Sequence, residues 1–150
     1  MTTLAYRDGV LAADMQVTAG NRKFRFSKVR QTKDGGLVGG AGNLAQVIKV
    51  LRWVADGMDD DKPDFGDEGE FECIWVSPDG AVHLLDEALE PMKIEDGFLA
   101  IGSGGPYAVA AMHLGRSPEE AVEVAARFDP ATSGPVQVWR LQPKPKRKRK

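Results

Sequence analysis

The residue with the most chemical potential in this chain is Thr2, in the opening Met1-Thr2-Thr3. A threonine hydroxyl is a poor nucleophile until a base takes its proton. Removal of Met1 would leave Thr2 with a free α-amine, which titrates near about 7.7 to 8.0 and is partly neutral at physiological pH. An N-terminal threonine therefore carries its own general base. Taken alone, a threonine at position 2 signifies little, because Met-Thr starts are commonly trimmed. Lys28 adds a second signal. It shares the face of Phe24 and Phe26 if that strand runs straight, and a lysine on an apolar face needs a carboxylate partner. Asp14, at the end of an apolar stretch, reads by itself as a turn residue, and Gly42, just before a helix, as a tight turn.

Other chemistries find little support. One cysteine, Cys73, with two histidines, His83 and His113, is a poor ligand set for zinc, so neither a metal nor a cofactor is expected. A single cysteine allows no intrachain disulfide and fits a reducing, cytoplasmic setting. The N-terminus lacks the basic stretch and long apolar core of a secretory signal, and no apolar run approaches the ~20 residues of a membrane span. At 150 residues, 42% hydrophobic and 28% charged, the chain has the size and composition of one soluble globular domain.

The net charge of -2 conceals an asymmetry. Residues 144–150 hold six of the 20 basic residues; without them 14 basic residues face 22 acidic ones, a body near -8. Nine of the acids fall between Asp56 and Glu72, against the single Lys62. Blocks of this kind are usually solvated. The tail, residues 143–150, reads as a disordered solubilising end, with a contact to nucleic acid or an acidic partner as the alternative. An acidic body argues against nucleic acid binding anywhere else.

The elements that must position these residues follow from pattern. Thr3 to Arg7 and Val10 to Val17 form a hairpin about Asp8-Gly9. After a loop at residues 19–22, Phe24 to Thr32 reads as one strand, and Leu37 to Ala41 as a short glycine-rich one. Asn43 and Gln46 form a capping-box pattern for a helix whose apolar face holds Leu44, Val47, Ile48, Leu51, Val54 and Ala55, ending at Gly57. Strands follow at Phe71 to Val76, Ala81 to Leu85, Met92 to Ile94 and Phe98 to Ile101. A second helix spans Pro106 to Leu114. A third starts at Ser117-Pro118-Glu119-Glu120, and Val136 to Leu141 is a last strand. Segregated runs of strands and helices argue for antiparallel sheets covered by helices.

Five segments occur in a telling order: Met1-Thr2-Thr3, the hairpin ending in Asp14, Ser27-Lys28-Val29, Gly39-Gly40-Ala41-Gly42, and Ile101-Gly102-Ser103-Gly104-Gly105-Pro106-Tyr107-Ala108. Together they resemble the HslV-type, proteasome-like threonine peptidases of the N-terminal nucleophile hydrolase superfamily, over most of residues 2 to 141. The resemblance implies an α+β fold over residues 1–142, an αββα four-layer sandwich. It implies Thr2 as nucleophile once Met1 is removed, Asp14 and Lys28 as a buried charged pair, the Gly42 amide as oxyanion donor, and Ser103 beside the threonine amine. Asp129 and Ser133 look like the family's Asp-x-x-Ser-Gly element, with one extra residue between acid and serine. Implied too are polypeptide substrates, a homo-oligomeric ring and an ATP-dependent unfoldase as partner.

The chain departs from the family pattern in two places. The segment after Gly57 is too acidic, and too broken by Pro63, Gly66 and Gly69, to form the family's second long helix, so one helical layer is expected to be reduced. The loop near Asn21 to Phe26 is shortened, which would reshape a specificity pocket. Two alternatives stay open: a catalytically inactive proteasome-like assembly or partner-binding protein, and an amidase of the same superfamily acting on a small amide.

Overall fold

The computed structural model describes residues 2–59, 61–65 and 69–142; Met1, part of the acidic segment and the basic tail 143–150 lie outside the described residues. The chain starts with β1 (Thr3–Arg7) and β2 (Val10–Asp14), followed by β3 (Gln16–Ala19) and β4 (Arg22–Arg25). Then come β5 (Val29–Gln31), β6 (Leu37–Gly42) and α1 (Leu44–Ala55). The strands β7 (Phe71–Val76), β8 (Val82–Leu85), β9 (Met92–Lys93) and β10 (Phe98–Gly102) precede α2 (Gly105–His113), α3 (Pro118–Phe128) and β11 (Val136–Arg140).

Two antiparallel sheets face each other. One has the order β10-β1-β2-β11 and the other β5-β6-β7-β8-β9, while β3 and β4 make a separate two-stranded ribbon. Alternation along the strands builds three apolar layers. Leu4, Tyr6, Leu11 and Ala13 point between the sheets and meet Leu37, Ile74 and Val76 of the opposite one. Ala5 and Ala12, one step out of phase, point the other way and pack under α2 and α3. Behind the five-stranded sheet, Val47, Val50, Leu51 and Val54 of α1 close on Val38, Phe71, Cys73 and Leu85. Each such side chain contributes about 1.5–3 kcal/mol when fully buried. The result is the expected αββα sandwich.

Among the described residues, the layer over the five-stranded sheet contains one helix, α1, in keeping with the expected reduction. Phe65 lies beside α1 and packs edge-on against Phe71, ring centroids 4.9 Å apart, while Trp53, Met58 and Trp75 border the same cluster. Aromatic side chains from α1, β7 and the segment between them thus share the apolar layer behind this sheet. Among the described residues, no helix is long and apolar enough to cross a membrane.

Three local expectations need correction. The strand expected over Phe24 to Thr32 is broken: Phe26, Ser27 and Lys28 belong to no strand and link β4 to β5. Phe24 is half exposed, so Lys28 does not reach the interior by sharing its face. The hairpin strand expected to run to Val17 is interrupted at Met15, and the chain after it turns into the β3–β4 ribbon. At α1, Asn43 accepts from the Gln46 N–H as a cap should, but the Asn43 N–H donates to the Glu70 carbonyl. Gln46 Oε1 accepts from the Glu70 N–H, so these residues tie the helix start to β7 instead of closing a full box. The box at α3 does close, Ser117 and Glu120 exchanging both bonds at 3.2 Å.

The α2–α3 layer lies close to its sheet because the contact is built from small residues, Ala5, Ala12, Ala108, Ala111, Ala121 and Ala125. Ala121 is fully buried, so Ala121→Leu must push helix and sheet apart. It should cost about 1–3 kcal/mol, read as a lower denaturation midpoint at unchanged slope.

Candidate active site

The register of β1 decides what surrounds Thr2. Leu4 pairs with Ala13 on β2, and Thr3 pairs with Gly102 on β10. Continued one step, these registers set Thr3 opposite Asp14 at the end of β2 and Thr2 opposite Ser103 beyond β10, so the Thr2 hydroxyl reaches Asp14 diagonally. Alternation gives Thr2 the face of Leu4, toward the facing sheet. Thr2 is 3% exposed.

Lys28 arrives from the facing sheet. Its carbonyl accepts from the Gly40 N–H at 3.1 Å, and its neighbour Ser27 hydrogen-bonds Gln137 of β11 at 2.8 Å, so the unpaired stretch is anchored on both sheets. Lys28 Nζ donates to Asp14 Oδ1 at 3.0 Å and to Thr2 Oγ1, and the Thr2 hydroxyl donates to Asp14 Oδ1. The ion pair is almost wholly buried, its side chains 5% and 1% exposed. Burial pulls the Lys28 ammonium below the ordinary lysine range, and the charge and hydrogen bond of Asp14 pull it part of the way back. Asp14 is further held by two backbone donors, Thr3 N–H at 3.1 Å and Ser133 N–H at 3.2 Å.

Thr2 and Lys28 open onto a cleft of about 130 Å³, whose other walls include Val17, Thr18, Gly42 and Val47. Gly42 closes β6 opposite Phe71, with φ +121, and stands two residues before α1. Ala41 and Gly42 also border a second, larger cavity of about 650 Å³, lined by Glu70, Glu72, Glu87 and Gly102. Among the described residues no group of histidine, cysteine or carboxylate side chains is arranged to hold a metal ion.

The remaining three sequence candidates are placed as follows. Ser103 Oγ donates to Asp129 Oδ2 at 2.6 Å. Asp129 follows α3 and is 7% exposed. Burial pushes its carboxyl up, but donors from Ser103, Thr132 and the Ala131 backbone outweigh this and hold it below the usual aspartate range. Ser133 does not bond to Asp129. Its backbone bonds Asp14, and its hydroxyl donates to Gln16 Oε1, whose amide reaches Thr18 at 3.2 Å. The hydroxyl three residues after Asp129 is that of Thr132, one residue before Ser133, and Thr132 Oγ1 donates to Asp129 Oδ2 at 2.6 Å.

Thr132, Gln16, Thr3 and Gly102 are the site residues that sequence reasoning passed over. The Asp-x-x spacing could have found Thr132. The others had no local signal, since each matters only through a partner distant in the chain. Gly102 has φ +91, and a Cβ there would lie 1.8 Å from the Thr2 carbonyl oxygen.

Solved structures match this architecture over nearly the whole chain. BPH of Thiobacillus denitrificans in complex with epoxomicin is 20% identical with a TM-score of 0.69, covering 95% of this chain and 99% of its own. HslV of Trypanosoma brucei is 21% identical with a TM-score of 0.65, covering 92% and 97%. No family model and no curated protein matches the sequence. The chain has the fold of these BPH and HslV structures.

Gly102→Ala combines a forbidden contact with a disfavoured φ. It should cost more than about 1 kcal/mol of stability and displace Thr2 from Asp14 and Lys28. Thermal or denaturant unfolding checks the first effect, and NMR shifts of Thr2 the second.

Proposed function

We propose that this chain is a threonine-type endopeptidase, with Thr2 as nucleophile after Met1 is removed. The observation that carries the proposal is the buried Thr2 hydroxyl, bonded to both Lys28 and Asp14 at the head of a cleft that Gly42 also lines. In this reading the neutral α-amine of Thr2 takes the hydroxyl proton while Lys28 stabilises the developing alkoxide by charge. Asp14 keeps Lys28 protonated and oriented. The alkoxide oxygen bonds to the carbonyl carbon of the scissile peptide, and the Gly42 amide stabilises the resulting oxyanion. One such donor is worth ~2.7 to 4 kcal/mol. Collapse of the intermediate breaks the C–N bond, and the α-ammonium returns its proton to the leaving amine. Water then hydrolyses the acyl-enzyme, with the amine again as base.

Ser103 belongs to the same reading. Its proton is directed at Asp129, so its oxygen is left to accept from the Thr2 amine across the β1–β10 pairing. Ser133 contributes through its backbone N–H on Asp14. The larger cavity continuing past Gly42 favours an extended polypeptide over a small amide, because a small amide would leave it empty.

Assembly into a homo-oligomeric ring, fed by an ATP-dependent unfoldase, completes the proposal. The helical α2–α3 surface supports assembly: Leu114 is 82% and Phe128 62% exposed, and Phe128 stacks on Tyr107.

Mass spectrometry and peptide hydrolysis test this together. The denatured protein should lack the mass of Met1, and the native protein should be a multimer. Thr2→Ala should lower hydrolysis of unfolded polypeptides by more than about 10³-fold while leaving the fold intact. Retained Met1 with no hydrolysis would sink the enzyme reading and leave a proteasome-like binding or assembly protein.

A further inference from the structure

Thr2 stands between two polar clusters, the buried pair Asp14 and Lys28 on one side and part-buried Ser103 with buried Asp129 on the other. A pair of hydroxyls joins them. Thr132 Oγ1 is 2.6 Å from Asp129 Oδ2 and 2.7 Å from Thr3 Oγ1. A hydroxyl has one proton, and that of Thr132 goes to the carboxylate, so Thr3 must be the donor between the two threonines. The backbone N–H of Thr3 meanwhile donates to Asp14 Oδ1. Thr3, the residue next to the nucleophile, is thus bonded to both clusters by two different groups.

The geometry leaves this contact little freedom. Thr3 is 0% and Thr132 1% exposed, so water does not compete for either hydroxyl. Thr3 shares the face of Ala5, toward the helical layer, where Asp129 follows the end of α3. A Cβ at residue 104 would lie 2.0 Å from Thr3 Oγ1 and 3.1 Å from Thr132 Oγ1, so Gly104 keeps open the space in which the hydroxyls meet.

We infer that Thr3 and Thr132 are positioning residues, a hydroxyl relay that fixes Asp129, and through it Ser103, to the strand that carries Thr2. The catalytic consequence rests on the peptidase reading; the relay itself does not. With both donors in place, Asp129 is ionised and oriented, and Ser103 directs its proton away from the Thr2 amine. Without the Thr132 hydroxyl, Asp129 Oδ2 keeps Ser103 alone, while burial still works against its charge. The other titratable groups bearing on it are Asp14 and Lys28, joined through Thr3, and the α-amine of processed Thr2. Arg127, in the last turn of α3, is exposed.

Thr132→Val removes the hydroxyl at nearly constant volume, and Thr132→Ser retains it. Thr132→Val should lower kcat about 10- to 100-fold with KM little changed, the scale of a misplaced catalytic group. Because a lost donor raises the Asp129 carboxyl toward and above its ordinary range, the acidic limb of kcat/KM should move to higher pH. Thr132→Ser should restore both the rate and the profile. A readout independent of hydrolysis is the ¹³C-carboxyl titration of Asp129, assigned with Asp129→Asn. Thr132→Val should shift it upward, Thr3→Val should shift it the same way, and the double variant should go no further than Thr132→Val. If Thr132→Val fails to fold, Thr3→Val and Thr132→Ser carry the same comparison. An unmoved carboxyl titration in folded Thr132→Val or Thr3→Val, or a serine variant no better than valine, overturns the relay. Shifted titrations in a wild type that cleaves no peptide would uphold the relay and overturn the peptidase reading.

Discussion

Strand β1 is paired on both edges, with β2 through Leu4↔Ala13 and with β10 through Thr3↔Gly102, and the whole site depends on that double register. Side chains alternate faces along a strand, so a slip of one residue would send Leu4 and Tyr6 toward the helices and Ala5 between the sheets. Neither layer could accept the exchange: the helical contact is built for alanines and the inter-sheet layer for larger side chains. The hydrophobic core thereby locks a polar arrangement that contributes little to it. With the register fixed, Thr3 lies opposite Asp14 and Thr2 opposite Ser103, so the Thr2 hydroxyl meets Asp14 from the next position along. The Thr2 carbonyl presses against residue 102, where a Cβ would lie 1.8 Å from its oxygen.

The charged part of the site is a meeting of two sheets. Asp14 ends a strand of one, and Lys28 comes from the stretch that leads into the other. A buried ion pair gains little stability by itself, because desolvation offsets most of the attraction, but removal of either partner leaves an expensive isolated charge. Here the pair is reinforced by the backbone N–H groups of Thr3 and Ser133 and by the Thr2 hydroxyl. Such an arrangement suits preorganisation better than stability. The same holds for Asp129, whose three donors outweigh the cost of its burial.

The helical layers are unequal for a reason visible in the chain. On one side two helices lie on alanines; on the other a single helix covers part of a five-stranded sheet, and Phe65, Trp53 and Trp75 take up apolar surface beside it. Among its described residues, the acidic stretch after α1 forms no helix. Its described part instead places one aromatic ring, Phe65, on Phe71. The end of the sandwich that carries the candidate site, formed by β1, β2, β6 and β10, is not part of the reduction.

Much of this was legible in sequence, because local rules act over short spans. The 3.6-residue period of Val47, Leu51 and Val54, the cap at Ser117 and Glu120, and the Asp8-Gly9 turn each declare an element without knowledge of the rest. The order of the motifs carried the fold and the candidates Thr2, Asp14, Lys28, Gly42, Ser103 and Asp129. What sequence could not supply were bonds between residues remote in the chain. Phe24 to Thr32 reads as one strand because β-propensity does not know that Lys28 must leave the sheet to reach Asp14. Ser133 matches a motif, yet Thr132 reaches the carboxylate, because the turn after Asp129 decides which of two neighbouring hydroxyls points inward. Thr3 and Gly102 look ordinary until β1 and β10 are side by side. Motif order and the resemblance it carries named the residues; only the packing of two sheets and a helical layer decided which atoms meet.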